Sequence, residues 1–236
     1  MRTQLPEEKL RRLQEQEFRP WAPSVGHLST AMDGFYNFER KLLLGPQNGE
    51  PPLPAGYLPA REGSRILFKP NATLRLFYES FRELKDEIAE TSFVRADQIE
   101  SRLQRRANSG GFSGGFNRSG LDYFAARIRP YCALPDRVAL ARARQGIVET
   151  LFAVRRFVQR ESRLPAKLDE LVPRYLEKLP IDPFSGEPLR FDSARSIIYS
   201  VGINLKDQGG MITDPPLSDT DEPTAQIGIG VARAQP

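Results

Sequence analysis

The apolar residues between positions 71 and 90 recur in alternating steps of three and four. They are Leu74, Phe77, Phe81, Leu84 and Ile88. At about 3.6 residues per turn, this spacing places all of them on one face of a helix, so the pattern predicts an amphipathic helix here. A shorter helix is predicted from an N-cap at Ser29 or Thr30 to Leu44, where Gly45 and a proline follow.

The longest helical stripe follows Asp136, which is predicted to be the N-cap of a helix that Pro165 ends. Its members are Ile147, Leu151, Val154 and Val158. A stripe of this kind must be buried against another element, because an isolated apolar helix face is unfavourable in water.

Beyond this helix the pattern changes to short apolar runs separated by turn residues. Leu168, Leu171 and Val172 predict one or two further helical turns, and the segments 182–183 and 185–186 predict turns. Three short strands are predicted at "PLRF", "SIIYSVG" and "IGIGVA". In the second strand, Tyr199 and Val201 are expected to alternate with Ile198 and Ser200 across the sheet.

These patterns divide the chain into three parts and predict an α+β fold. Residues 1–107 are predicted to be a mainly helical N-terminal region, with a loop rich in proline and glycine at 45–64. Residues 108–135 combine a Gly-rich connector, "SGGFSGGFNRSG", with an apolar segment. Residues 136–236 are predicted to form a long amphipathic helix packed on a small antiparallel sheet. A short strand is also predicted at 66–68.

Charge is distributed unevenly along this chain of net charge +4. From Arg102 to Arg163 there are thirteen arginines, no lysine and four acidic residues. Arginines can bind phosphates while aromatic rings stack on bases, and four aromatic residues lie in this region. They are Phe112, Phe116, Tyr123 and Phe124. One hypothesis is therefore a soluble protein that binds nucleic acid or another polyanion through residues 102–163. The alternative is that these arginines solvate helix faces.

The sequence contains few residues of the types that commonly carry out catalysis. The only cysteine, Cys132, lies in an apolar "YCAL" run and is predicted to be a small buried packing residue. The only histidine, His27, is remote from it in sequence, so neither a Cys–His pair nor a zinc site is predicted. The sequence predicts no catalytic residue and favours a protein that is not an enzyme. No window approaches the roughly 18 apolar residues of a membrane helix.

The C-terminal part of the chain resembles a known family. The segment "ESRLPAKLDELVPRYLEKLPIDPFSGEPLRF", followed by "IIYSVGINLKDQGG", is similar to the globular part of the major pseudopilin of bacterial type II secretion systems. It also resembles uncharacterised bacterial envelope proteins that carry this module after a longer N-terminal region. The resemblance covers about residues 136–232. It implies that Pro180, Pro183 and Gly186 set the chain direction between helix and sheet.

The resemblance implies a non-catalytic structural or interaction protein of the bacterial envelope, related to type II secretion or surface assembly. Its expected partners are other envelope or secretion proteins. Pseudopilins begin with a cleavable leader and an apolar membrane helix, which this sequence does not contain. Two expectations follow: an extracytoplasmic domain anchored by a segment outside this chain, or a cytoplasmic protein that starts at Met1 and reuses the module.

The resemblance also suggests a calcium site, because many pseudopilins hold calcium in the loop after the second strand. Calcium binds hard oxygen ligands such as carboxylates and carbonyls. The candidate ligands in the acidic loop are Asp207, Asp219 and Asp221, and Gly209 with Gly210 would let the loop fold around an ion. The alternative is an acidic loop that is simply solvated.

Overall fold

A computed structural model describes residues 6–12, 25–50, 68–89, 93, 95–108, 117–210 and 223–227. The fold is α+β, as predicted. The chain forms two compact units, Pro23–Arg137 and the combination of Met1–Ala22 with Val138–Pro236. Within these described ranges, the helices are α1 Glu7–Arg12, α2 Val25–Leu44, α3 Pro70–Ala89, α4 Ala96–Asn108, α5 Arg118–Cys132 and α6 Leu134–Glu161, followed by a 3-10 helix at Leu168–Leu171. The strands are β1 Arg190–Asp192, β2 Ile197–Tyr199 and β3 Thr224–Gln226.

In the unit Pro23–Arg137, α2 packs on α3, while α3 and α4 both pack on α5. The apolar stripe predicted for α3 is confirmed, since all five of its residues are buried. Phe77 lies at the centre, with its ring edge-on to Phe124 at 5.0 Å and stacked on Phe81 at 6.0 Å between centroids. Aromatic packing therefore stabilises this helical core.

Two predicted helix starts are wrong by a few residues. Helix α2 begins at Val25, so Ser29 and Thr30 lie inside it, and the Thr30 hydroxyl donates to the carbonyl of Gly26 one turn back instead of capping. Helix α6 begins at Leu134, which places Asp136 in its first turn rather than at the N-cap. The side chain of Asp136 accepts a hydrogen bond from another helix instead of its own, as described below.

One predicted helix end is matched in the structure, and the other helix ends earlier than predicted. Helix α2 ends at Leu44 as predicted. Helix α6 ends at Glu161, before Pro165, because Ser162 adopts a left-handed φ of 55° that interrupts the helical ladder. Pro165 follows three residues later, where the chain is already non-helical.

Helix α5 was not predicted. It contains Gly120 and Pro130, two residue types that disfavour helix and obscure the pattern. Its buried residues recur at intervals of four and form one face: Gly120, Phe124, Ile128 and Cys132. The glycine-rich connector at 109–116 and most of the strand predicted at 66–68 lie outside the described residues, and Phe68 is not in a strand.

The three strands form one antiparallel sheet in the order β1-β2-β3. Arg190 lies opposite Tyr199, and Ile198 lies opposite Ala225. The first two strands occur where they were predicted. The third is formed by Thr224–Gln226, just before the predicted "IGIGVA", of which only the buried Ile227 is described. Polar residues suit β3 because it is an edge strand whose residues are partly exposed.

The apolar stripe of α6 packs on the sheet as predicted. Ile147, Val154 and Val158 are buried in one cluster with Ile198 of β2, and Leu151 packs against that cluster. The 3-10 helix contributes Leu168 and Leu171 to the same cluster, with Val172 partly buried beside them. Burial of these side chains supplies the main driving force for the fold of this unit.

The segment between the 3-10 helix and β1 makes the reversal that the sequence predicts. Gly186 has a φ of +74°, which glycine adopts without a steric penalty, and its N–H donates to the Asp182 carbonyl at 2.9 Å. The Asp182 N–H donates to the Glu187 carbonyl at 2.8 Å. Residues 181–188 therefore form a small closed turn, here called the Asp182 turn, whose ends pair between Ile181 and Pro188.

The Asp182 carboxylate joins this turn to the end of β2. Its Oδ1 accepts from the Phe184 N–H at 3.1 Å and the Ser200 hydroxyl at 2.8 Å, and its Oδ2 accepts from the Val201 N–H at 2.9 Å. Asp182 is fully buried. A buried carboxylate is tolerated only when hydrogen bonds replace its hydration, and here three donors do so.

We expect Asp182→Ala to lower the free energy of unfolding by about 3 kcal/mol, because it leaves the buried donors of Ser200 and Val201 without an acceptor. Glu187→Ala is the matched control, since Glu187 is exposed in the same turn and contributes its backbone carbonyl. The control should change stability by less than about 0.5 kcal/mol. Urea unfolding of both variants checks this, and equal losses would contradict the role of the carboxylate.

Candidate functional site

The predicted alternation along the second strand does not produce alternating exposure, because residues 197–201 are all buried. Ile198 belongs to the cluster that α6 covers. Tyr199 is covered instead by the backbone of Gly210, where an added Cβ would lie 2.7 Å from the Tyr199 Cγ. Residues 202–210, here called the cover loop, therefore pack over the side of β2 that carries Tyr199. This loop is the described part of the acidic segment in which the resemblance suggests a calcium site.

The close approach of the cover loop depends on its glycines. Gly209 and Gly210 have φ values of +78° and +65°, in the left-handed region that favours glycine. The predicted freedom of this pair is therefore used to bring the chain against the Tyr199 ring.

Asp207, the described member of the candidate calcium ligands, is bound by groups of the protein. Its Oδ1 accepts from the Tyr199 hydroxyl at 3.2 Å and the Gly209 N–H at 2.9 Å. Its Oδ2 lies 2.9 Å from the Arg190 Nε, in an ion pair whose geometry is not that of an aligned hydrogen bond. Asp219 and Asp221 lie outside the described residues.

A second arginine contacts the same loop from the turn between β1 and β2. The Arg195 guanidinium donates to the Gly209 carbonyl and, at 2.6 Å, to the Asp192 carboxylate. The Arg195 backbone N–H, followed by the guanidinium, lowers the pKa of Asp192. Among the described residues, no three His, Cys, Asp or Glu side chains group as a metal site.

Sequence reasoning missed Arg190 and Arg195 as partners of the cover loop. The signal was present in the predicted strands, because pairing "PLRF" with "SIIYSVG" as a hairpin can place Arg190 opposite Tyr199. The contact of Arg195 with Gly209 could not be predicted from strand pairing, because it depends on the path of the cover loop.

Arg102, Arg127, Arg129 and Arg163 of the arginine-rich region form ion pairs with carboxylates that lie outside residues 102–163. The ion pairs are Arg127–Glu39 at 2.6 Å, Arg102–Glu83 at 3.2 Å, Arg129–Glu100 at 3.3 Å and Arg163–Glu170 at 2.6 Å. Arg102 also pairs with Glu87. Of these carboxylates, Glu39 is fully buried. The excess of positive charge counted along the sequence is therefore partly offset in space.

The aromatic residues proposed for base stacking are used in packing where they are described. Phe124 is buried in the core, and the Tyr123 hydroxyl donates to Glu39 at 2.9 Å. Burial, followed by the bond to Glu39, raises the pKa of Tyr123. Phe112 and Phe116 lie outside the described residues. Because Phe124 is buried, its ring is not available to stack on a base.

Cys132 is buried, which confirms the predicted packing role. Burial raises the pKa of its thiol to about 11, so the reactive thiolate is disfavoured near neutral pH. The thiol donates to the Ile128 carbonyl at 3.5 Å. His27 lies exposed in the first turn of α2.

Comparison of this chain with protein-family models, with curated proteins and with solved structures finds no match in any of the three. Within the described ranges, no helix has both the length and the apolar character needed to cross a bilayer.

The side chain of Asp136, in the first turn of α6, binds the start of α4. Its Oδ1 accepts from the N–H of Ala96, the first residue of α4, at 3.2 Å, so the side chain satisfies one of the free donors at that helix start. Its pKa is raised from 3.8 to about 6, mainly by burial and to a smaller extent by Asp97, although the Ala96 bond and Arg95 lower it. The folded state therefore retains this proton more strongly than the unfolded state.

Because the folded-state pKa of Asp136 is raised, its contribution to stability is largest below pH 3.8 and is lost as the pH rises through about 6. Asp136→Asn keeps an acceptor but removes the charge. From about pH 4 to pH 7, we expect the free energy of unfolding of this variant to increase, relative to that of the native chain, by on the order of 1 kcal/mol. Solvent screening of the half-buried group limits the effect to this size. Urea unfolding at both pH values checks this, and a constant difference would contradict it.

Proposed function

We propose that this chain is a non-catalytic structural or interaction protein of the bacterial envelope, built around a pseudopilin-like module and related to type II secretion or surface assembly. The observation that carries the proposal is the order of elements in the unit that contains the sheet. A long amphipathic helix, a 3-10 turn, the Asp182 turn and an antiparallel hairpin follow one another. This is the order that the sequence resemblance implies for the globular part of a major pseudopilin.

The use of polar side chains in this unit supports a structural role over a catalytic one. Asp182, Ser200, Asp207 and Tyr199 are the polar groups that meet around the end of β2, and each is bonded to another part of the protein. Their hydrogen bonds fix the path of the chain. A catalytic acid or base needs a position within reach of a substrate.

Binding of nucleic acid is the weaker candidate. A phosphate-binding surface depends on arginines that are available to phosphates. Several arginines of the region 102–163 are paired with glutamates that lie elsewhere in the sequence, including the buried Glu39. The unit Pro23–Arg137 is proposed instead to position or dock a partner protein of the envelope.

The compartment of the protein can be tested with a single introduced cysteine. Ser193 is exposed in the turn between β1 and β2, whereas the native Cys132 is buried with a raised pKa. In source cells with a permeabilised outer membrane, we expect a membrane-impermeant maleimide to label Ser193→Cys. The native chain, under the same conditions, should remain unlabelled until it is denatured.

The partner is tested on the same cells by in vivo cross-linking and mass spectrometry of the recovered complex. Recovery of pseudopilins or other secretion components with an externally labelled chain supports the proposal. Labelling of Ser193→Cys only after cell lysis would contradict an envelope location and favour reuse of the module in the cytoplasm.

A further inference from the structure

We propose that Arg190 and Arg195 hold the cover loop on β2 in the role that a metal ion would otherwise fill, so that residues 202–210 fold without calcium. The inference rests on the contacts of this loop and not on the proposed function. It differs from the expectation that the loop is ordered around a bound ion.

The cover loop contains oxygen atoms of the kinds that calcium binds. Calcium requires about six to eight oxygen ligands from carboxylates, carbonyls or water. In the cover loop, the Asp207 carboxylate and the Gly209 carbonyl are oxygens of the required kinds. Arg190 pairs with the first, and Arg195 donates to the second. The Asn204 side-chain oxygen accepts the Lys206 N–H at 2.8 Å. These oxygens are therefore bound to cationic or N–H groups of the chain.

Positive charge of the protein already lies beside these oxygens. Two guanidinium groups lie beside Asp207 and Gly209, and a divalent cation placed at the same oxygens would be repelled by both. An arginine presents several donors in a fixed plane, so it can bind a carboxylate or carbonyl while it carries the positive charge itself. The described residues around Asp207 thus fit guanidinium binding and do not fit a calcium ion.

Strand β1 and the turn that follows it position the two arginines. Arg190 belongs to β1 and lies opposite Tyr199, whose hydroxyl also binds Asp207. Arg195 is fixed in the turn after β1 by both oxygens of Asp192, which accept its backbone N–H at 3.0 Å and its side chain at 2.6 Å. Formation of the β1–β2 hairpin therefore brings both guanidinium groups to the place where the loop must close.

Proteolysis at Lys206 measures opening of the loop. Lys206 is exposed within it, and the protease Lys-C cleaves after lysine and is unaffected by arginine substitutions. For a folded protein, the cleavage rate follows the population of the locally open state when opening is fast. In the full chain, we expect the rate of cleavage after Lys206 to be the same, within about twofold, with excess calcium chloride and with excess EGTA.

The double variant Arg190→Ala/Arg195→Ala should be cleaved at Lys206 about five times faster, since partly exposed pairs contribute modestly. Calcium should not restore the native rate. Arg174→Ala is the matched control, because it removes an exposed arginine that pairs with Glu161 in the same unit, away from the loop. Its rate should remain within about twofold of the native rate.

If the double variant does not fold, the single variants Arg190→Ala and Arg195→Ala give the same information, because each removes one of the two guanidinium groups that contact the loop. Each should also be cleaved faster than the native chain, with or without calcium. Two results would overturn the proposal. One is protection of Lys206 in the native chain by calcium, by about fivefold or more. The other is a native cleavage rate in a folded double variant or in both single variants.

Discussion

The sheet unit depends on one buried carboxylate. Asp182 lies in the turn that precedes β1, yet its oxygens bind Ser200 and Val201 at the end of β2. Those residues in turn continue the pairing of the sheet, because the Ser200 N–H donates to the Pro223 carbonyl at 3.0 Å, next to β3. A charged group at this position must be fully hydrogen-bonded, so the turn and the strand cannot shift independently without exposing an unsatisfied donor or acceptor. The constraint fixes where β2 ends and where the cover loop begins.

From that point, the two sides of β2 are buried by different means. Ile198 packs in an apolar cluster under α6, where burial of hydrocarbon surface supplies the stabilisation. Tyr199 is covered by a glycine backbone that is held by ion pairs and hydrogen bonds of Asp207 and Arg195. The apolar contacts on the helix side are not screened by salt, whereas the loop side contains partly exposed charges that salt screens. A strand of only three residues is thus stabilised by two kinds of interaction.

The sequence predicted those features that depend on neighbouring residues. The stripe of α3, the stripe of α6 and the Asp182 turn each arise from local spacing, and each occurs in the structure. Helix α5 was missed because Gly120 and Pro130 weaken the local signal, while burial of Phe124 and Ile128 compensates for them in the fold. The partner of Arg127 could not be predicted either, since Glu39 is 88 residues away. For the same reason, a count of arginines along the chain overstated the charge that the region presents.

The bonds of Asp182 also bear on how this unit folds. Ser200 and Val201 are 18 and 19 residues from Asp182, and β1 lies between them. Closing a loop of this size has a small entropic cost, and contacts of short sequence separation form quickly. One continuous run of chain, residues 181–201, therefore contains the turn, the hairpin and the carboxylate that locks them together. We expect such a run to form before β3 pairs with β2, so that nucleation of the sheet does not depend on the length of the acidic segment that follows.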